Sequence, residues 1–147
     1  MKVFLGADHR GFELKNYLRD YLGSLGYQVV DKGAFEFDPD DDYPDFAFAV
    51  GEAVVKEGGL GVVICGSSIG VTIAANKVKG VRAASVCNDH ELVHGRERDG
   101  LNVLALAADE LDFDQAKKLV KLFLTTKPVN EARFVRRTEK IKQYEAG

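Results

Sequence analysis

The sequence predicts an α/β protein, a three-layer αβα sandwich in which a five-stranded parallel sheet carries helices on both faces. Five short runs rich in β-branched residues alternate with segments whose apolar residues recur every 3.6 residues. None of the five runs is followed by a hairpin turn, so each connection is expected to cross over through a helix to a parallel neighbour. Burial of such strands on both faces explains the continuous apolar run Val62-Val63-Ile64.

The strands and helices are expected in the following order along the chain. The predicted strands are Lys2–Gly6, Gln28–Asp31, Gly61–Cys65, Arg82–Cys87 and Asn102–Ala107. One helix is expected to begin near Gly11, and another opens at Tyr43-Pro44-Asp45, because proline suits a first helical turn. A third helical pattern runs from the turn at Gly70 through Lys79. The last two helices are expected at Asp112–Thr125 and Glu131–Tyr144, on either side of a break at Lys127-Pro128.

Composition favours one globular domain over residues 1–147, since 46% of the residues are apolar. The formal net charge of −3 provides no overall basic field, so neither nucleic acid nor a membrane surface is an expected partner. No apolar run approaches the ~18–20 residues of a membrane span. The start of the chain leads directly into a strand and lacks a signal-peptide pattern, so we expect a cytoplasmic protein with Cys65 and Cys87 reduced.

A loop that follows the third predicted strand carries a thiol. Cys65 ends that strand, and the small residues Gly66, Ser67 and Ser68 lead into the next helix. The backbone N–H groups of such a turn and the positive end of a helix dipole favour an anion, and they would also favour a thiolate at Cys65. The same residues fit a plainer structure, in which Cys65 is a small buried apolar side chain and the glycines only close the turn.

Polar residues also follow two other predicted strands. The first strand leads into Asp8–Gly11 and the fourth leads into Asn88–His90. In an open parallel sheet, ligands bind outside the carboxyl ends of the strands, so these clusters and the Cys65 loop are expected at one edge. Asp8 alone would also fit a structural role as a cap for the helix that begins near Gly11.

The familiar nucleotide and metal motifs do not fit this chain. The turn Gly6–Gly11 lacks the order G-x-G-x-x-G, and no P-loop is present. His90 and His94 are four residues apart without the glutamate of H-E-x-x-H, so no metal and no other cofactor is expected. The aspartates of Phe35–Asp42 lack the glycine and terminal glutamate of a calcium loop, and we expect a solvated acidic loop.

Several motifs together resemble type B ribose-5-phosphate isomerases and the related galactose-6-phosphate isomerase subunits. They are Gly6-Ala7-Asp8-His9, Asp42-Tyr43-Pro44-Asp45, Ile64-Cys65-Gly66-Ser67-Ser68-Ile69-Gly70 and Ile73-Ala74-Ala75-Asn76-Lys77. The similarity runs from the first strand to the arginine-rich last helix. The resemblance implies a Rossmann-like fold and a metal-independent aldose–ketose isomerase that acts on a sugar phosphate through an enediolate. It also implies a homodimer, or a dimer of such dimers, with shared sites and the last helix, about 130–145, at the interface.

The resemblance assigns roles to individual residues. Cys65 matches the family's base, and Ser67 stands where relatives usually have threonine. The turn from Gly66 through Ser68 and Ile69 to Gly70 would hold the enediolate oxygens through its N–H groups. Asp8 and His9 match a pair that contacts the sugar. Arg133 and Arg137 match the phosphate-binding arginines and lie four residues apart on one helical face; without the family pattern they would be assigned to a solvated basic helix.

The chain departs from the family pattern at two places. Relatives generally carry a His-Asn pair that opens the furanose ring, and Arg98-Asp99 stands there in this sequence. An arginine stays protonated and cannot move a proton as an imidazole does. In addition, many relatives carry a phosphate-contacting arginine just past the last strand, where this chain has Asp109.

Three hypotheses remain open on these departures. In the first, His94 supplies the acid from one helical turn before Arg98, and Arg98 replaces the lost phosphate contact. In the second, the substrate needs no ring opening, as with a tetrose 4-phosphate, or is another sugar phosphate such as allose 6-phosphate or galactose 6-phosphate. In the third, the chain is a non-catalytic subunit that only binds a sugar phosphate; the retained Asp8, Cys65 and Ser67 argue against this.

Overall fold

The computed structural model describes residues 1–147 and contains five strands and six helices. The strands are β1 (Lys2–Ala7), β2 (Gln28–Asp31), β3 (Leu60–Cys65), β4 (Ala83–Ser85) and β5 (Val103–Ala107). The helices are α1 (Phe12–Ser24), α2 (Tyr43–Glu57), α3 (Ile69–Ala75), α4 (Asp89–Arg98), α5 (Phe113–Thr125) and α6 (Ala132–Ala146). None of the helices combines the length and the apolar character needed to cross a membrane.

The five strands form one parallel sheet in the order β2-β1-β3-β5-β4, which confirms the predicted fold class. The central strand, β3, is buried at every residue, as its continuous apolar run predicts. The prediction was wrong for the fourth strand, which pairs only with β5 and keeps three of the six expected residues. Cys87 was expected in that strand, but it lies beyond the strand and is exposed.

Two apolar clusters fill the space between the sheet and its helices. One face of the sheet packs against α1, α5 and the middle of α4, through side chains such as Leu18, Phe123 and Leu92. The other face packs against α2 and α3, through Val50 and Val71. The sandwich therefore has the three layers that the alternation of strands and helices predicts.

Three helices differ from their predicted bounds, and of these α5 differs least, since it begins one residue later than predicted, at Phe113. The helical pattern after the Cys65 loop extends to Lys79 in the sequence, but α3 ends at Ala75 because the chain then turns through Asn76 to Gly80 towards β4. The Asn76 side chain fixes that turn, since its amide exchanges two hydrogen bonds with Ala83. The last helix begins one residue later and ends two residues later than predicted.

A buried cation holds the loop between β2 and α2 against the sheet. The Lys15 side chain is completely buried, and its Nζ lies 2.9 Å from Asp31 Oδ1 and also donates to the carbonyl of Ala34. A buried ammonium requires such partners. Lys15 thereby anchors the start of the loop that ends at Asp42, close to the carboxyl end of β1.

Candidate active site

A cleft of about 440 Å³ opens at the carboxyl edge of the sheet, where the sequence places the candidate catalytic groups. The parallel register pairs Ala7 with Ile64 and Cys65 with Ala107, so the residues that follow these strands meet at one edge. The lining residues are Asp8, Arg10, Tyr43, Cys65, Gly66, Ser67, Ile69, Gly70 and Ile73. The structure therefore brings Asp8 together with the Cys65 loop.

The loop after Cys65 presents backbone donors that nothing in the protein accepts. Cys65 itself is buried at the end of β3. The N–H groups of Gly66, Ser67 and Ser68 donate to no backbone or side-chain acceptor, which is unusual for three consecutive residues. Ser68 is buried in a left-handed conformation with φ 67°, and its hydroxyl bonds the hydroxyl of Ser85 on β4. The loop is thus held rigidly while its donors stay free.

Asp8 has both roles that the sequence allows: it stabilises the start of α1, and it lines the cleft. Its Oδ1 accepts hydrogen bonds from the N–H groups of Arg10 at 3.0 Å and Gly11 at 3.2 Å, which starts α1. Its Oδ2 makes no hydrogen bond within the protein. Because the carboxylate is buried and lines the cleft, one oxygen organises the turn and the other is available to a ligand.

His9 forms a pair with an aspartate from the loop that was expected to be solvated. His9 Nδ1 lies 2.7 Å from Asp41 Oδ1, and the His9 N–H donates to the same oxygen at 3.0 Å. The Asp41 side chain is only 9% exposed, so the prediction of a solvated loop was wrong at this residue. The hydrogen bond that His9 donates to Asp41 and the charges of Asp8 and Asp41 raise the pKa of His9 above its ordinary value, against desolvation and the charge of Arg10.

Ligand atoms of Asp8, His9 and Asp41 lie within 4.8 Å of one another, which is close enough for a metal ion. One oxygen of each carboxylate is engaged by the protein: Asp8 Oδ1 accepts from two backbone N–H groups, and Asp41 Oδ1 is bonded to the His9 ring. Asp41 Oδ2 is buried without a partner. Oxygen and imidazole donors of this kind also bind and orient sugar hydroxyl groups.

Sequence reasoning missed three residues of the cleft, Arg10, Tyr43 and Ile73. The ring of Tyr43 lies so close to Gly70 that a Cβ there would collide with it. The Arg10 guanidinium lies against Gly66 in the same way and pairs with Asp109. A signal was present for all three, since they stand within or beside motifs that carry the family resemblance: Gly6–His9, Asp42–Asp45 and Ile73–Lys77.

The α4 candidates do not line the Cys65 cleft of their own chain. His94 and Asp99 border a separate cleft beside β4, with His94 Nε2 3.8 Å from Asp99 Oδ2. Arg98 lies further along at the end of α4, where its guanidinium carbon sits 5.3 Å from the centre of the Phe134 ring. Because α4 returns from the carboxyl edge of the sheet to the amino edge, Arg98 is at the edge opposite Cys65.

The α6 arginines also belong to the amino edge. Arg133 lies 4.9 Å from the same Phe134 ring, so Arg98 and Arg133 share one aromatic contact. Two hydrogen bonds hold α6 at the amino edge. Just before the helix, the Val129 N–H donates to the Glu97 carbonyl, and near its end the Glu145 carboxylate accepts from the Gly80 N–H. A strand of five or six residues spans roughly 15–20 Å. Arg133 and Arg137 are therefore remote from Cys65 of the same chain.

A family model described as Ribose/Galactose Isomerase matches residues 3–141. The chain belongs to this isomerase family. A probable ribose-5-phosphate isomerase B of Mycoplasma genitalium is 41% identical over 145 residues, covering 97% of this chain and 95% of the relative. Ribose-5-phosphate isomerase B of Mycobacterium tuberculosis is 36% identical over 146 residues, covering 99% of this chain and 90% of the relative.

Solved structures of the ribose/galactose isomerase family match the fold closely. The ribose-5-phosphate isomerase B of Mycoplasma genitalium with bound ribulose 5-phosphate has a TM-score of 0.92 at 39% identity, covering 99% of this chain and 96% of its own. The ribose-5-phosphate isomerase B of Clostridium thermocellum has a TM-score of 0.94 at 38% identity, covering 99% of this chain and 98% of its own. These relatives confirm the resemblance that the sequence motifs indicate.

Proposed function

We propose that this protein interconverts ribose 5-phosphate and ribulose 5-phosphate, with Cys65 as the base. The observation that carries the proposal is a cleft with a thiol and a buried carboxylate, and a loop of three free N–H donors directly after the thiol. An aldose–ketose isomerase needs this combination, because one base must move a proton between C2 and C1 while fixed donors stabilise the enediolate. The relatives that are 41% and 36% identical to this chain are named as ribose-5-phosphate isomerase B.

The thiol, the loop N–H groups and the buried carboxylate each have a task in this reaction. The Cys65 thiolate removes the proton from C2 of the aldose, the hydroxyl proton on the C2 oxygen passes to the C1 oxygen, and the resulting thiol protonates C1 of the enediolate to give the ketose. The N–H groups of Gly66, Ser67 and Ser68 bind the oxygens on C1 and C2, where negative charge develops. The free oxygen of Asp8 accepts a hydrogen bond from a sugar hydroxyl. Neither a metal nor another cofactor has a task in this scheme.

The complete site requires a second copy of the chain. Arg133 and Arg137 lie at the amino edge, so they can bind the phosphate only of a substrate held by a partner's Cys65 cleft. Arg98 joins Arg133 on the Phe134 ring, which supports a shared role in phosphate binding. We therefore propose a homodimer in which α6 forms part of the interface and His94 also reaches the partner's cleft. The two free cysteines fit a reducing, cytoplasmic location.

The test is isomerisation in deuterated water followed by NMR. The purified protein is incubated with ribose 5-phosphate, and ketose formation and deuterium uptake at C2 are measured together. We expect turnover that Cys65→Ala abolishes and that Cys87→Ala preserves, because Cys87 is exposed outside the cleft. Deuterium exchange in the Cys65→Ala protein at the rate of the unsubstituted protein would overturn the role of Cys65.

The same experiment compares the other substrates. Erythrose 4-phosphate, allose 6-phosphate and galactose 6-phosphate are tested at equal concentrations. Ribose 5-phosphate is expected to give the highest kcat/KM. A clear preference for the tetrose phosphate would instead support a substrate without ring opening. Sugar phosphate binding without any exchange at C2 would show a binding subunit rather than an enzyme.

A further inference from the structure

The Cys65 cleft contains one cation of its own chain, Arg10. Its guanidinium lies against the backbone of Gly66, the residue that follows the proposed base. This approach depends on glycine, because a Cβ at Gly66 would collide with the Nε, Cζ and Nη1 atoms of Arg10. Arg10 and Gly66 both line the cleft, so the guanidinium is within the volume where a substrate would bind.

The guanidinium is fixed from the other side by Asp109, which follows β5. Arg10 Nη2 donates to Asp109 Oδ2, and the Asp109 N–H donates to the Gly66 carbonyl at 3.1 Å. Arg10, Gly66 and Asp109 thus form a closed set of contacts across the ends of β1, β3 and β5. An arginine carries five N–H donors, and the Asp109 bond is the only hydrogen bond of this side chain within the protein. Several donors remain for a ligand.

Charge determines which part of the substrate these donors suit. Apart from Arg10, the only charged residue that lines the cleft is Asp8, which is negative. A doubly charged phosphate entering without Arg10 would meet Asp8 and Asp109 with no compensating charge from the same chain. Guanidinium groups bind phosphate through paired, charge-assisted hydrogen bonds.

We propose that Arg10, positioned by Asp109, binds the phosphate group of the substrate and makes this chain selective for phosphorylated sugars. The proposal rests on the proposed isomerase function for its substrate class, but not for its anion site. It places one phosphate ligand on the chain that supplies Cys65, whereas Arg133 and Arg137 come from the partner. Asp109 acts only through Arg10 and is a positioning residue.

The test measures phosphate affinity separately from turnover. Inorganic phosphate is titrated into the protein, and binding is followed by NMR shifts of the cleft residues and by competitive inhibition of ribose 5-phosphate isomerisation. In Arg10→Gln we expect the phosphate dissociation constant and the KM for ribose 5-phosphate each to rise about tenfold or more, with kcat nearly unchanged. Turnover of unphosphorylated ribose should not change. Arg19→Gln, which removes an exposed guanidinium on α1, is the matched control.

The positioning role of Asp109 is tested by a double-mutant cycle. Asp109→Asn should raise the same two constants by about threefold, and the effects of Arg10→Gln and Asp109→Asn should not add, because both act through one guanidinium. Arg10→Lys should recover part of the phosphate affinity, since it keeps the charge but loses the planar donors. Additive effects of Asp109→Asn would overturn the positioning role.

The outcomes separate this proposal from the proposed function. If the protein binds phosphate through Arg10 but turns over no sugar, the anion site stands and the isomerase function fails. If Arg10→Gln behaves as Arg19→Gln in both assays, or if the unsubstituted protein does not bind phosphate, the proposal on Arg10 is wrong. A fall in kcat with unchanged KM and phosphate affinity would place Arg10 at the reacting carbons and would equally overturn it.

Discussion

His9 and Asp41 form a hydrogen-bonded pair across 32 residues of sequence, with 2.7 Å between His9 Nδ1 and Asp41 Oδ1. With Nδ1 committed to Asp41, the other ring nitrogen, Nε2, is the one left to contact a ligand. The edge of the Phe37 ring packs against His9 with 6.5 Å between ring centres, which further fixes the imidazole. The pair therefore orients His9 beside Asp8, at the margin of the cleft.

Replacement of Asp41 by asparagine is expected to lower the pKa of His9. Asparagine keeps the shape of the side chain but removes the charge, and the hydrogen bond that Asp41 accepts from the His9 ring is the largest cause of the raised pKa. The measurement is an NMR titration of the His9 ring. Asp40→Asn is the control, because this neighbouring aspartate does not contact His9. An unchanged titration in Asp41→Asn would show that another group raises the pKa.

The same pair makes stability depend on pH. The folded pKa of His9 lies above its unfolded value of about 6.5, so the folded state binds the proton more tightly. This contribution to the free energy of unfolding is fully present below about pH 6.5 and is lost as the pH rises through the folded pKa. The free energies of unfolding of the unsubstituted protein and of Asp41→Asn, measured with urea, should therefore differ most near pH 6.5. The difference should shrink as the pH rises above the folded pKa of His9.

Gly11→Ala is expected to lower the free energy of unfolding by about 1–3 kcal/mol, because it overpacks the contact between α1 and β3. The new Cβ would lie 2.6 Å from Ile64 Cγ2 and 2.8 Å from the Ile64 carbonyl oxygen. Gly23→Ala introduces the same methyl group into open space on α1 and should stabilise the protein by up to about 1 kcal/mol. Chemical denaturation of both variants provides the comparison; equal effects would contradict the packing argument.

Arg96→Ala is expected to cost about 2–4 kcal/mol of stability. Arg96 is buried between α4 and α5, where it donates to the carbonyls of Leu101 at 2.7 Å and Thr126 at 3.2 Å. Burial and the nearby charge of Arg82 lower its pKa from the ordinary value. Thermal or urea unfolding measures the loss. Arg136→Ala, an exposed change on α6, should leave stability within about 0.5 kcal/mol.

Two inactive variants are expected to restore activity when they are mixed. A Cys65→Ala chain keeps Arg137, and an Arg137→Gln chain keeps Cys65, so a mixed dimer has one intact site if the two residues come from different chains. Random exchange of equal amounts would restore about one quarter of the full activity, since half of the dimers are mixed and half of their sites are intact. The measurement is turnover after refolding the variants together. No recovery would assign both residues to one chain.

The sequence predicts the parts of the site that depend on strand ends, and it does not predict the contacts between distant loops. Asp8 and Cys65 were expected together because parallel strands bring their carboxyl ends to one edge. The Arg10–Asp109 contact joins residues 99 positions apart, and no local pattern reports such a pair. Asp41 was predicted to be solvated because acidic runs usually are, but its tertiary contact with His9 buries it.

The location of Cys65 and the α6 arginines at opposite edges of the sheet has a consequence for how such proteins diversify. If the α6 arginines serve the partner's thiol as proposed, one copy could lose its thiol after duplication of the gene and still supply its arginines to the other. The second copy can lose its arginines while it keeps the thiol. Each copy is then useless alone and indispensable in the pair. With the chemistry divided in this way, few substitutions would be needed to convert a homodimer into an obligate heterodimer.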